Sequence, residues 1–142
     1  MMLIKEFISE TNKNQMISTL LKHYKVGGVK VKMKSMKDHA NFKVDTGTLE
    51  LSTRYKTIKP SQLKEFLITI IHEIRHAMDA KKYGWRRFAK MYEMEIAQWQ
   101  AENPKKDPDD WYKHISFEIE AEEFGQKNWR KWYNTFKKEQ LF

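Results

Sequence analysis

The 142-residue sequence contains no cysteine. This absence excludes a disulfide framework, thiol catalysis and any metal site with thiolate ligands. The sequence also lacks an apolar run of the roughly 20 residues that a membrane-spanning helix requires, and charged residues interrupt the N-terminus where a signal peptide has its apolar core. We therefore expect a soluble, cytoplasmic protein whose length suits one domain spanning residues 1–142.

Positive charge is abundant but unevenly distributed. The formal net charge is +8, and residues 1–60 contain 12 Lys and Arg against 5 Asp and Glu. In residues 29–34, lysines alternate with valine and methionine, a pattern typical of a strand with one solvated face. A nucleic-acid-binding surface is the alternative interpretation. It is not favoured, because arginines are few and no aromatic residues are interleaved for base stacking.

The hydrophobic pattern predicts an α+β fold with a small, mostly antiparallel sheet. An N-terminal helix is expected over about residues 4–25, a strand over 29–34 and a hairpin over 41–54 with a Gly-containing turn. Three helices are expected next, over about 60–82, 85–100 and 108–137.

The strongest helical segment contains two histidines one turn apart. His72 and His76 are spaced i and i+4, so their imidazoles project from one helix face and can bind the same zinc ion. Glu73, between them, can accept a proton from a water that the metal activates. The apolar residues of this helix lie on the opposite side, so we expect the histidines to face a second layer or a cleft.

A catalytic zinc ion needs a third protein ligand, which in a cysteine-free chain must be His, Asp or Glu. His114, Glu118 and Glu122 are spaced four residues apart and form one stripe along a predicted helix. We favour Glu118 as the ligand, and its competitors are His114, Glu120 and Glu122.

Small residues flank this stripe at Ala121 and Gly125. A glycine inside a helix costs about 1 kcal/mol relative to alanine, so a compensating packing role is expected. Both residues permit a close approach of a neighbouring helix, which a metal ion shared between two helices requires.

The two motifs together resemble those of the gluzincin zinc metallopeptidases. The segment His72-Glu73-x-x-His76 is followed by Glu-x-x-Ala-Glu-x-Phe-Gly at residues 118–125. This order is similar to that of the ImmA/IrrE-like group and of the small archaeal minigluzincins, in which a later helix provides the third ligand in a Glu-x-x-Ala-(Asp/Asn)-x-Phe-(Ala/Gly) pattern.

The resemblance implies a zincin-like fold and a Zn²⁺ cofactor. Matched residue by residue, the implied metal ligands are His72, His76 and Glu118, and the implied catalytic base is Glu73. Glu122 falls on the acidic position that orients a histidine ligand, a role for which Asp79 is the alternative.

The implied function is that of a zinc metalloendopeptidase acting on a peptide or protein substrate. The predicted strand Leu49–Arg54 corresponds to the edge strand along which such enzymes hold an extended substrate. A donor for the transition-state oxyanion is also needed, and the sequence leaves four candidates open: Arg75, Tyr92, Tyr112 and His114.

The alternative is a zinc-binding protein that is catalytically silent or self-inhibited, and that acts through its basic surface on nucleic acid or a partner. In the self-inhibited version, the aromatic residues of segment 129–142 cover the cleft as a lid. Packing of these aromatic residues in the core is the simpler expectation.

Overall fold

The chain folds into a small sheet covered by helices, which confirms the α+β class. The computed structural model describes residues 7–142. Its main elements are α1 (Glu10–His23), β1 (Lys30–Lys34), β2 (Ala40–Lys43), β3 (Thr48–Ser52), α2 (Leu63–Tyr83), α3 (Trp85–Glu102) and α4 (Ser116–Lys138). Short 3-10 turns occupy Thr53–Tyr55, Pro60–Gln62 and Pro108–Lys113.

The first helix begins later than its apolar pattern suggests. The side chain of Ser9 accepts a hydrogen bond from the backbone N–H of Asn12, and this cap fixes the start of α1 at Glu10. Positions 4–6 of the predicted helix lie outside the described residues.

The sheet is mixed, with the strand order β1-β3-β2. The predicted hairpin is confirmed as the antiparallel pair β2–β3, but β1 pairs with β3 in parallel. The expectation of a mostly antiparallel sheet is therefore wrong. After β1 the chain crosses to the far side of the sheet before it forms the hairpin, so β3 returns between the other two strands in the direction of β1.

This order also changes which strand has a free edge. The expectation that Leu49–Arg54 forms a free edge for substrate is wrong, because β3 is paired on both sides. In addition, the strand ends at Ser52, and Arg54 belongs to the following 3-10 turn. Of the two edge strands, β2 is the one packed against α2.

Helix α2 runs through the centre of the molecule. Its apolar side is fully buried, as the spacing predicts, by Leu63, Phe66, Leu67, Ile70, Ile71 and Ile74. The helix ends at Gly84, whose φ of 84° is a conformation that L-residues with a side chain rarely adopt. None of the helices within residues 7–142 has the length and apolarity needed to cross a membrane.

The last predicted helix is interrupted. Asp107 caps a 3-10 turn at Pro108–Lys113, and α4 begins only at Ser116. Ile115 is buried in an extended conformation, and Ser116 forms hydrogen bonds with Glu95 of α3 through both its backbone N–H and its hydroxyl. These tertiary contacts override the local helical pattern at this point.

Helices α2 and α4 pack closely, as the two small residues predict. Ala121 is fully buried, and a Cβ atom placed on Gly125 would lie 2.8 Å from the backbone oxygen of Ile68. That distance is too short for a non-bonded contact, so glycine is required for this approach.

The C-terminal aromatic residues pack in the core and not over the histidines. The indole N–H of Trp132 donates a hydrogen bond to Tyr24 at 2.9 Å, and Phe136 is fully buried. The backbone oxygen of Leu141 accepts a hydrogen bond from the Asn12 side chain at 3.0 Å. The structure thus contradicts the lid interpretation and confirms the core interpretation.

The close helix contact generates the first prediction. We expect Gly125→Ala to lower the free energy of unfolding by about 1–2 kcal/mol, since the steric overlap costs more than the roughly 1 kcal/mol that alanine gains in helix propensity. Urea unfolding measures the change. The matched control is Gly28→Ala, where nothing lies within 4 Å of the added atom. Equal stabilities for the two variants would contradict the steric argument.

Candidate metal centre

Helices α2 and α4 bring two imidazoles and one carboxylate together. Oε1 of Glu118 lies 2.8 Å from Nε2 of His72 and 2.9 Å from Nε2 of His76. All three side chains are buried. The three residues favoured by the sequence analysis as metal ligands, His72, His76 and Glu118, therefore meet in the structure.

Glu73 lies beside this group without entering it. Its Oε1 is 4.0 Å from Nε2 of His72, a longer separation than that of Glu118. The possible ligand atoms of His72, Glu73 and His76 nevertheless all lie within 4.8 Å of one another. Burial raises the pKa of Glu73, while the charges of the histidines and the backbone of Phe42 act in the opposite direction.

The hydrogen bonds between Glu118 of α4 and the histidines of α2 determine the charge of these side chains. Burial alone would raise the pKa of Glu118, but hydrogen bonds from His72 and His76 outweigh it and hold the pKa well below its usual range. Burial alone would lower the pKa of His72, but its hydrogen bond to Glu118 and the nearby negative charges raise the pKa. Glu118 is thus anionic at neutral pH, as a ligand to a cation must be.

The other nitrogen of His72 has its own partner. Nδ1 lies 3.0 Å from Oε2 of Glu122, whose side chain is half exposed. This contact fixes the orientation of the imidazole, with Nε2 directed at Glu118. A carboxylate on the far nitrogen is the arrangement that usually supports a metal-binding histidine.

Asp79 has a different neighbour. Its Oδ1 is 3.5 Å from Nε of Arg75, and its Oδ2 is buried without a hydrogen-bond partner among residues 7–142. Nδ1 of His76 is likewise buried and unpartnered within the described chain. Of the two residues considered for orienting a histidine, Glu122 makes the contact and Asp79 does not.

Two tyrosines complete the surroundings of the centre. Tyr92 of α3 donates a short hydrogen bond to Oε2 of Glu118. The hydroxyl of Tyr112, from the 3-10 turn before α4, lies 3.4 Å from Nε2 of His72. Burial, together with the nearby carboxylates, raises the pKa of both tyrosines, so both hydroxyls keep their protons. Helical spacing gives no sign of these contacts, because they depend on how α3 and the turn pack.

Other predicted site residues lie elsewhere. His114 stacks on Trp99, with ring centroids 5.0 Å apart and planes 9° apart. Glu120 lies 3.5 Å from Arg75, whose guanidinium also lies over the ring of Phe124. His114 and Glu120 therefore do not reach the centre as ligands. The guanidinium of Arg75 interacts with Asp79, Glu120 and the ring of Phe124.

The donor set fits a divalent metal ion such as zinc. Two imidazoles and one carboxylate are the ligands of many catalytic zinc sites, with ligand distances of about 2.0–2.1 Å. Tetrahedral geometry at those distances separates the ligand atoms by about 3.3 Å. The observed separations of 2.8 and 2.9 Å are smaller by about half an ångström, so slight spreading of the side chains is enough.

Comparison with protein-family models, curated proteins and solved structures gives no match to this chain. The functional argument therefore rests on the two sequence motifs and on the geometry of the centre.

Proposed function

We propose that this protein is a zinc metalloendopeptidase of the gluzincin type with a zincin-like fold. One observation carries the proposal. Glu118 from α4 meets both histidines of the His72-Glu73-x-x-His76 motif, while Glu73 remains beside them and free of that contact. Hydrolysis requires a base beside the metal, and Glu73 is a buried carboxylate in that position.

The three ligands and their support have separate roles. His72, His76 and Glu118 would hold Zn²⁺, and Glu122 would orient His72 through Nδ1. Bound zinc supplies Lewis acidity, which polarises a substrate carbonyl and lowers the pKa of water toward about 7.

Glu73 is the general base of the proposed reaction. Its carboxylate accepts a proton from the attacking water and then transfers that proton to the leaving amine. Burial favours the neutral form of this side chain and so raises its pKa, which makes the carboxylate a better proton acceptor than a solvated one.

Strand β2 takes over the substrate-binding role expected of Leu49–Arg54. The backbone oxygen of His39 accepts a hydrogen bond from Ser52, so alternate residues of β2 face β3. The backbone groups of Ala40 and Phe42 therefore point away from β3. Because the backbone N–H of Phe42 already interacts with Glu73, an extended peptide would pair with the outward groups of Ala40 and so pass beside the metal centre.

Tyr112 is the favoured oxyanion donor among the four candidates. Tyr92 already donates to Glu118, Arg75 pairs with acidic side chains, and His114 stacks on Trp99. The hydroxyl of Tyr112 lies at the centre and its residue is 47% exposed, so it can reach a substrate. Its raised pKa keeps it a donor at neutral pH.

The first test of this function is metal binding. We expect wild-type protein to bind one equivalent of zinc and Glu118→Ala to lose most of the affinity. Glu122→Gln is expected to lower the affinity about 10- to 100-fold, because the support of His72 is weakened. The matched control is Glu120→Gln, which changes a similarly exposed side chain of α4 that pairs with Arg75. Competition with a chelating indicator measures the affinities, and wild-type affinity in Glu118→Ala would refute the ligand assignment.

The second test concerns the base. We expect Glu73→Gln to retain zinc and to lose about 10²- to 10⁴-fold in turnover, since the amide cannot accept a proton. Zinc-loaded protein is assayed on unfolded casein and on a mixture of fluorogenic peptides, with Glu120→Gln as the active control. Unchanged turnover in Glu73→Gln, or no hydrolysis of any substrate by the wild type, would overturn the proposed function.

The two tyrosines are expected to differ in their effects. Tyr112→Phe should lower kcat about 10²- to 10³-fold without changing the free energy of unfolding, because its hydroxyl acts on the transition state. Tyr92→Phe should lower the free energy of unfolding by about 1–3 kcal/mol, because it leaves a buried carboxylate oxygen without its donor. Steady-state kinetics and urea unfolding separate the effects, and an unaltered kcat in Tyr112→Phe would exclude it as the donor.

A further inference from the structure

The second free edge of the sheet, β1, lies on the opposite side of β3 from the metal centre. The backbone N–H of Lys30 donates to Gly47 at 3.2 Å, so the alternate residues Lys30, Lys32 and Lys34 direct their backbone groups toward β3. The backbone N–H and C=O groups of Val31 and Met33 therefore point outward. All five residues of β1 are exposed, and no strand within residues 7–142 pairs with this edge.

The two faces of β1 differ in chemistry. On one face, Val31 and Met33 are 38% and 37% exposed and line a groove of about 400 Å³ against α1. Ile17, Leu21 and Leu51 line the apolar part of this groove, and its rim carries the polar residues Glu10, Lys13, Asn14, Ser18 and Lys22. The groove thus offers an apolar strip, formed by Val31, Met33, Ile17, Leu21 and Leu51, beside unpaired backbone groups.

The opposite face of β1 is basic. It presents the side chains of Lys30, Lys32 and Lys34, and these lysines lie in the segment that holds most of the net positive charge. Lys34 lies 3.7 Å from Glu50, whereas Lys30 and Lys32 form no salt bridge within the described chain. A strand placed next to β1 would therefore have two unpaired ammonium groups as neighbours on this face.

We propose that the β1 edge binds an extended segment of another protein in which acidic and apolar side chains alternate. Backbone pairing with Val31 and Met33 would extend the sheet, the apolar side chains would enter the groove, and the acidic ones would meet the lysines. The unpaired backbone groups favour a polypeptide over a nucleic acid, because only a polypeptide completes the hydrogen-bond ladder. This surface is independent of the proposed peptidase activity.

The test uses fluorescence polarisation with the full chain and a labelled peptide of alternating Glu and Val. A length of about eight residues covers the five residues of β1. The controls are a Lys–Val alternating peptide and a peptide of the same composition with all Glu residues before all Val residues. We expect the alternating acidic peptide to bind at least about tenfold more tightly than either control, since only it satisfies both faces.

Two variants of β1 locate the binding. Val31→Pro removes an outward N–H without removing a ladder hydrogen bond, a change that an edge strand tolerates. Lys30→Glu/Lys32→Glu reverses the charge of the basic face, and Lys105→Glu/Lys106→Glu makes the same charge change in an exposed loop as its control. We expect at least about tenfold weaker binding for both β1 variants and wild-type binding for the loop variant.

Hydrogen exchange measured by NMR tests the proposal on the wild-type protein alone, so it does not depend on whether a variant folds. In wild-type protein, the amides of Val31 and Met33 should become protected when the acidic peptide is added, because they become paired. Unchanged exchange at these amides, or equal affinity of wild type and Lys30→Glu/Lys32→Glu, would overturn the proposal. Equally tight binding of a single-stranded DNA oligonucleotide that is insensitive to Val31→Pro would also overturn it, in favour of a nucleic-acid surface.

Discussion

The contact of one carboxylate from α4 with two imidazoles from α2 organises this molecule. A buried carboxylate is costly unless it is paired and hydrogen-bonded, and Glu118 meets this condition only where the two helices almost touch. Gly125 permits that approach, because any larger residue would collide with the backbone of Ile68. The contact of Glu118 with the histidines therefore depends on the close packing of α2 and α4. The residues that make this contact lie more than 40 positions apart in the sequence.

The sheet separates two kinds of surface. Its β2 edge lies beside Glu73, whereas its β1 edge carries the lysines and the apolar groove. Since β3 lies between them, a chain bound at one edge leaves the other edge accessible. Three of the basic residues in 1–60, namely Lys30, Lys32 and Lys34, lie on the β1 edge, away from the candidate metal centre.

Local periodicity was sufficient for some features and insufficient for others. The i and i+4 spacing of His72 and His76 predicted their shared face, and the small residues predicted the close contact of α2 with α4. Alternation in 29–34 indicated a strand, but alternation does not specify a strand's neighbours, so the parallel pairing and the central position of β3 were not predictable. The contact of Tyr92 with Glu118 depends on the packing of α3 and leaves no trace in spacing.

The break before α4 places the proposed metal ligand and the proposed oxyanion donor on segments of different kinds. Glu118 belongs to a long helix packed along α2, whereas Tyr112 belongs to a 3-10 turn whose residues are largely exposed. Segments with few buried contacts open at a lower free-energy cost than the core does. We therefore expect Tyr112 to be held less firmly than Glu118, so that the position of the proposed oxyanion donor and that of the proposed metal ligand depend on segments of different stability.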